Sequence, residues 1–162
     1  MKKVISMILA LTMIFTLAAC GSSNKTKEAP DLQAYFESFM NSLGADNTPA
    51  TMSANEDPSY VDAFFPGLND IELKQSVLQM AMMSQIGFEI ALVECANAED
   101  VETVKNIFQT RIDNQVNGGA WYPAVEEAWS NGALIVKDNV VALIVAGEAQ
   151  DSAVAAFEAL YN

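Results

Sequence analysis

Two stretches of this chain carry apolar residues on both faces of a strand. In residues 87–95, Phe88, Ile90 and Leu92 share one face of an extended strand, and Ala91, Val93 and Cys95 share the other. Residues 140–146 (VVALIVA) are apolar without a break. Successive side chains of a strand point to opposite faces, so neither stretch suits a half-solvated sheet. Both need cover above and below, and the second reads as an interior strand.

The rest of the pattern fits around these strands. A first strand over about 73–83 turns near 84–86 into 87–95. A helix over about 98–117 follows, with Glu99, Asp100 and Glu102 in its first turn, where the helix dipole favours acids, and Gly118-Gly119 as its stop. Trp121-Tyr122-Pro123 leads into a short helix over 124–130, left through Asn131-Gly132. Residues 134–136 and 140–146 form a hairpin around Asp138-Asn139, residue types that tolerate positive φ in a tight turn. A last helix over 151–161 buries Val154, Phe157, Leu160 and Tyr161. IALVECANAEDVETV and VALIVAGEAQDSAVA are alike at an offset near 50 with one gap, a weak internal repeat of a ββα unit.

Upstream, Asp31 caps a helix whose Leu32, Tyr35, Phe36, Phe39, Met40 and Leu43 keep the helical period until Gly44. Residues 45–56 read as loop, and Asp57-Pro58 as the start of a short helix through Phe65. The expected fold is α+β: a mainly antiparallel four-stranded sheet with two ββα units packed by helices, preceded by N-terminal helices.

The N-terminus carries a different message. Lys2 and Lys3 precede an apolar run that ends in Leu17-Ala18-Ala19-Cys20. From Val4 to Ala19 the run is 16 residues, short of the about 20 that span a bilayer. Positive start, apolar middle and small-residue end make residues 1–19 a lipoprotein signal peptide. Cys20 is then the mature N-terminus, bearing a diacylglycerol thioether, and two acyl chains suffice for stable anchoring. Residues 20–30 form the lipidated cysteine and a polar tether, of which 21–30 reach at most about 35 Å. Residues 31–162 are left for a single domain. The expected location is the cell membrane, lipid-anchored and facing outward.

Charge narrows the partners. From Pro30 onward, Lys74, Lys105, Arg111 and Lys137 stand against twenty acids, a formal charge of −16. Such a domain does not neutralise phosphates as nucleic-acid binding requires. It favours a cationic or protein partner, with simple solubility as the plainer explanation of the charge. Cys95 is the one cysteine left once Cys20 is lipidated, so no intrachain disulfide forms.

Histidine is absent, which removes the Ser-His and Cys-His nucleophiles and histidine zinc sites. No phosphate loop or calcium loop is present, so no catalytic residue, metal or cofactor is assigned. A carboxylate pair of the glycosidase kind stays open, because twenty acids guarantee some close pairs.

A few residues stand out. Val101, Val104, Ile107, Phe108, Ile112 and Val116 form the apolar stripe of the 98–117 helix; Gln115 falls inside it and Arg111 at its edge. Arg111 must reach water or meet a carboxylate. Glu89 and then Glu94 are the candidate partners, in a structural ion pair or around a ligand contact that includes Gln115. Trp121 and Tyr122 sit in a glycine-bounded loop that either binds a ligand or folds over the core. Met80, Met82 and Met83 read as core filler, with an adaptable contact surface as the alternative.

In this order the chain resembles the domain of unknown function 4358 family over residues 29–162. Glu89-Ile90-Ala91 matches the opening of a family strand; Arg111 and Gln115 match a helical Arg and Gln; Tyr122, Pro123 and Phe157 match later positions. Where the family has Gly and Tyr opening its last strand, this chain has Asn139 and Val140. The resemblance implies a small lipoprotein of Gram-positive, clostridial-type bacteria and supplies no activity. Three function classes follow: a non-catalytic binding or accessory module, a carboxylate-based hydrolase of cell-wall glycan or peptide, and a sensor or chaperone subunit of a membrane complex.

Overall fold

The computed structural model describes residues 28–162; the expected signal peptide, Cys20 and most of the expected tether lie outside the described residues. Five helices, α1 (Leu32–Ser42), α2 (Pro58–Phe64), α3 (Val101–Asn114), α4 (Pro123–Ser130) and α5 (Gln150–Glu158), surround one open sheet. Its strands are β1 (Thr51–Ser53), β2 (Leu73–Ala81), β3 (Glu89–Cys95), β4 (Ala133–Lys137) and β5 (Val140–Val145), in the order β1-β2-β3-β5-β4. Every pairing is antiparallel.

The sheet thus has five strands rather than four. The added edge strand β1 lies in the stretch read as loop, where Thr51 pairs with Ala81 and Ser53 with Gln79. Three residues carry too little periodicity to register, and β1 owes its form to the edge of β2. The helix expected over 98–117 is shorter as well. A 3-10 turn precedes it, and beyond Asn114 the chain widens into a π turn in which Gly118 takes φ 121°.

Both apolar stretches are covered on each side. Ala91, Val93, Cys95, Val141, Leu143 and Val145 pack against α2, α3 and α4, with Phe65, Phe108 and Trp129 between. Ile90, Leu92, Ala142 and Ile144 pack against α1 and α5, with Tyr35, Phe39 and Phe157 between. The two ββα units place their helices on opposite faces, since Phe108 of α3 belongs to the first core and Phe157 of α5 to the second. That arrangement buries both faces of β3 and β5.

Side-chain caps set two helix starts. Asp31 Oδ1 accepts from the Ala34 amide at 2.9 Å, and Asp57 Oδ1 from the Ser59 amide at 2.8 Å, each satisfying an amide left free at a helix N-terminus. Among the described residues no helix is long and apolar enough to cross a membrane.

Candidate functional site

Glu89 and Glu94 lie on the same strand but face opposite ways. Strand alternation sends Glu89, with Ala91 and Val93, toward α3, and Glu94 toward the other face. Arg111 on α3 meets Glu89 with both oxygens: Nε donates to Oε1 at 3.1 Å and Nη2 to Oε2 at 2.7 Å. The Arg111 and Glu89 side chains are 13% and 2% exposed. The guanidinium carbon lies 5.1 Å from the ring centroids of both Phe64 and Trp129, close enough for cation–π attraction. One cation therefore ties α2, α3 and α4 to the start of β3. Gln115 stays outside this cluster; it sits half-buried in the π turn, where its carbonyl accepts from the Ala120 amide.

Burial pushes the Glu89 carboxyl above the usual carboxylate range, while the hydrogen bonds and charge of Arg111 pull it back. A carboxyl raised in the fold holds its proton more tightly there than in the unfolded chain. Its stabilising contribution is full below the unfolded pKa and is lost as pH rises through the folded value. Urea midpoints should therefore fall as pH is raised above the ordinary glutamate range of about 4.3, and Glu89→Gln should flatten that slope.

Glu94 serves a different end of the molecule. Lys74 Nζ lies 3.4 Å from Oε1, and Gln75 Nε2 donates to Oε2 at 2.8 Å. Gln75 also donates to the Pro30 carbonyl and accepts from the Leu32 amide, fastening the start of α1 to the sheet. Beside this cluster opens a cavity of about 670 Å³ whose walls include Glu28, Lys74, Glu94, Lys137, Asp138 and Tyr161.

At the opposite end of β3, about 20 Å away at 3.3 Å per residue, lies a larger cleft of about 970 Å³ between the β2–β3 loop, α4 and the segment after β5. Gln85, Ile86, Ala128, Asp46, Glu127 and Glu148 are among its lining residues, and no Lys or Arg lines it. The three acids are exposed. Gly87 lets the loop approach α4: a Cβ there would lie 2.5 Å from Ala128 Cβ and 3.3 Å from Val125 Cα. Met82 and Met83 of the same loop are 65% and 51% exposed; Trp121 and Tyr122, just before α4, are 87% and 46% exposed. Only Met80 of the three methionines joins the core. The alternation that buries it ends with β2 at Ala81, so the reading of Met82 and Met83 as core filler is corrected.

Cys95 is fully buried, and burial together with the charge of Asp100 pushes its thiol up, away from nucleophilic thiolate chemistry. Among the described residues no group of three His, Cys, Asp or Glu side chains is placed to hold a metal ion.

Comparison with protein families matches residues 59–146 to Domain of unknown function (DUF4358). The chain belongs to this family. The DUF4358 match begins in α2 and ends just after β5, taking in Glu89, Arg111, Phe64 and Trp129 together. It leaves out α1 and α5, the helices that cover the second face of the sheet. Asn139, where the resemblance led us to expect glycine, needs no special backbone freedom in this DUF4358 domain, because Asp138 takes the left-handed position of the turn at φ 51°. No curated protein and no solved structure matches the chain.

Proposed function

We propose that the chain is a non-catalytic binding module, held to the outer face of a cell membrane by a lipid on Cys20, that meets a cationic polypeptide at its far end. The observation that carries this reading is the division of labour between the two ends of the sheet. The described chain enters at Glu28, beside the smaller cavity. The large cleft, bordered in sequence by Trp121, Tyr122, Met82 and Met83, lies at the other end. Exposed aromatics and methionines that adjoin in sequence the elements lining an acidic cleft suit a partner segment that alternates basic and apolar residues.

A second reading, a carboxylate-based hydrolase, draws support from Asp46, Glu127 and Glu148 in that cleft. Their exposure weighs against it, since a general acid at neutral pH depends on a desolvating pocket to hold its proton.

A peptide of alternating Lys and Leu titrated into the full chain should shift the emission of exposed Trp121 saturably. The shift should weaken with salt and with the Glu127→Gln/Glu148→Gln double variant. An emission indifferent to the peptide, or a shift the double variant leaves intact, would contradict the reading.

A further inference from the structure

The two edges of the sheet are finished differently. At one, β1 covers β2 for three residues, and just beyond it Asn55 closes what is left: its Oδ1 accepts from the Leu78 amide at 2.9 Å and its Nδ2 donates to Ser76 Oγ at 2.8 Å. At the other edge β4 pairs with β5, and among the described residues nothing bonds to its outer side. The Cys95 amide donates to the Asn139 carbonyl at 2.9 Å. By alternation, the backbone groups of Val141 and Leu143 then also turn to β3, and those of Val140, Ala142 and Ile144 turn to β4. Their partners there are Lys137, Ile135 and Ala133. The amides and carbonyls of Leu134 and Val136 therefore point outward, away from β5. The strand reads Ala-Leu-Ile-Val-Lys, with no acid, no proline and no bulge, and Val136 is 40% exposed. An apolar edge of this kind is a template for another strand. Its one charged guard, Lys137, stands at the hairpin end, where it lines the smaller cavity.

From this open edge we infer that the cationic partner segment binds as an added strand, antiparallel to β4 and bonded to Leu134 and Val136, which rests on the proposed function and adds how the segment is held. The cleft gives the place. Asn131 and Ala146, which line it, stand just before β4 and just after β5, and Ala133 pairs with Ile144. The start of β4 therefore opens onto the cleft. A segment of about five residues covers the edge, about 17 Å at 3.4 Å per residue, and its C-terminal end reaches the acids. Alternation of basic and apolar residues is itself a strand period. The apolar residues lie opposite Leu134 and Val136, on the face of the sheet that α3 covers, and the basic ones turn to the other face of a domain whose formal charge is −16. Directly opposite residues share a face and exchange hydrogen bonds at these positions, so the amides of the apolar residues are the donors to β4. A second copy fits less well. Two β4 edges paired antiparallel bring together two domains of that charge. They also send the hairpin ends, where each described chain enters at Glu28, in opposite directions.

Amide hydrogen exchange of the full chain, with and without the alternating Lys–Leu peptide, reads the edge directly. The Leu134 and Val136 amides should exchange freely in the chain alone and about tenfold or more slowly at saturating peptide. Two modified peptides keep every charge and side chain: one is N-methylated at each Leu, the other at each Lys. Followed by Trp121 emission, the Leu-methylated peptide should bind about tenfold or more weakly than the Lys-methylated one, because it alone loses the donors that face β4. Trp121 emission indifferent to the unmodified peptide removes the cationic partner, and the added strand with it. Binding that leaves both amides exchanging freely, or equal affinity of the two methylated peptides, overturns the added strand and leaves the cleft as the binding surface. Protection of both amides before peptide is added, lost on dilution, gives the edge to a second copy and overturns the assignment as well.

Discussion

Arg111→Ala should destabilise the fold by about 3–5 kcal/mol in urea unfolding, because it strands a carboxylate inside the protein. Glu89 is 1% exposed and both of its oxygens are held by the one guanidinium. The substitution also removes the cation between Phe64 and Trp129. Glu89→Gln should cost less, as the Arg111 side chain retains some access to water. The double variant should fall well short of the summed losses, the signature of direct coupling. Lowering the pH should relieve Arg111→Ala in particular, since a protonated Glu89 no longer needs its partner. Had Arg111 been kept for a ligand in an open pocket, the same change would leave stability within about 0.5 kcal/mol.

Phe157→Ala should be of similar size, about 3–5 kcal/mol for a large core aromatic. The ring is fully buried, meets Tyr35 edge-on at 5.5 Å and tilts against Tyr161 at 5.6 Å. It belongs to α5, outside residues 59–146. A loss of this size, checked by thermal and urea unfolding, means that the second face of the sheet depends on elements beyond the family match. A loss below about 1 kcal/mol, the range of ordinary surface changes, means that α5 is dispensable.

The burial of β3 and β5 was legible in the sequence because a strand covered on both faces shows apolar side chains on both, as residues 90–93 and 140–145 do, and few other patterns look like that. Arg111 was legible for a related reason: helical periodicity set it at the edge of an apolar stripe, where a charge demands a partner. The choice between Glu89 and Glu94 was also within reach, since strand alternation puts them on opposite faces once the face of α3 is known. The rings that flank the guanidinium were not, because Phe64 and Trp129 arrive from two other helices and nothing local marks them. β1 escaped for want of length, and the widened turn after Asn114 because glycine spacing marks a stop without saying how the last turn unwinds. Neither cavity could be read from the sequence. Each is built by loops brought together from distant parts of the chain.

The central claim, that the molecule is tethered at one end and open at the other, is tested most directly by fluorescence quenching of the lipidated chain in vesicles with nitroxide-labelled headgroups. Of the two native tryptophans, Trp129 meets Arg111 at the Glu89 end of β3, about 20 Å from the hairpin end at 3.3 Å per residue, and Trp121 just precedes the same helix α4. Their emission should be quenched weakly, whereas a tryptophan introduced at Asn139 in a Trp121→Phe/Trp129→Phe background should be quenched strongly. Strong quenching of the native tryptophans, or membrane retention and processing unchanged in Cys20→Ala, would contradict the account.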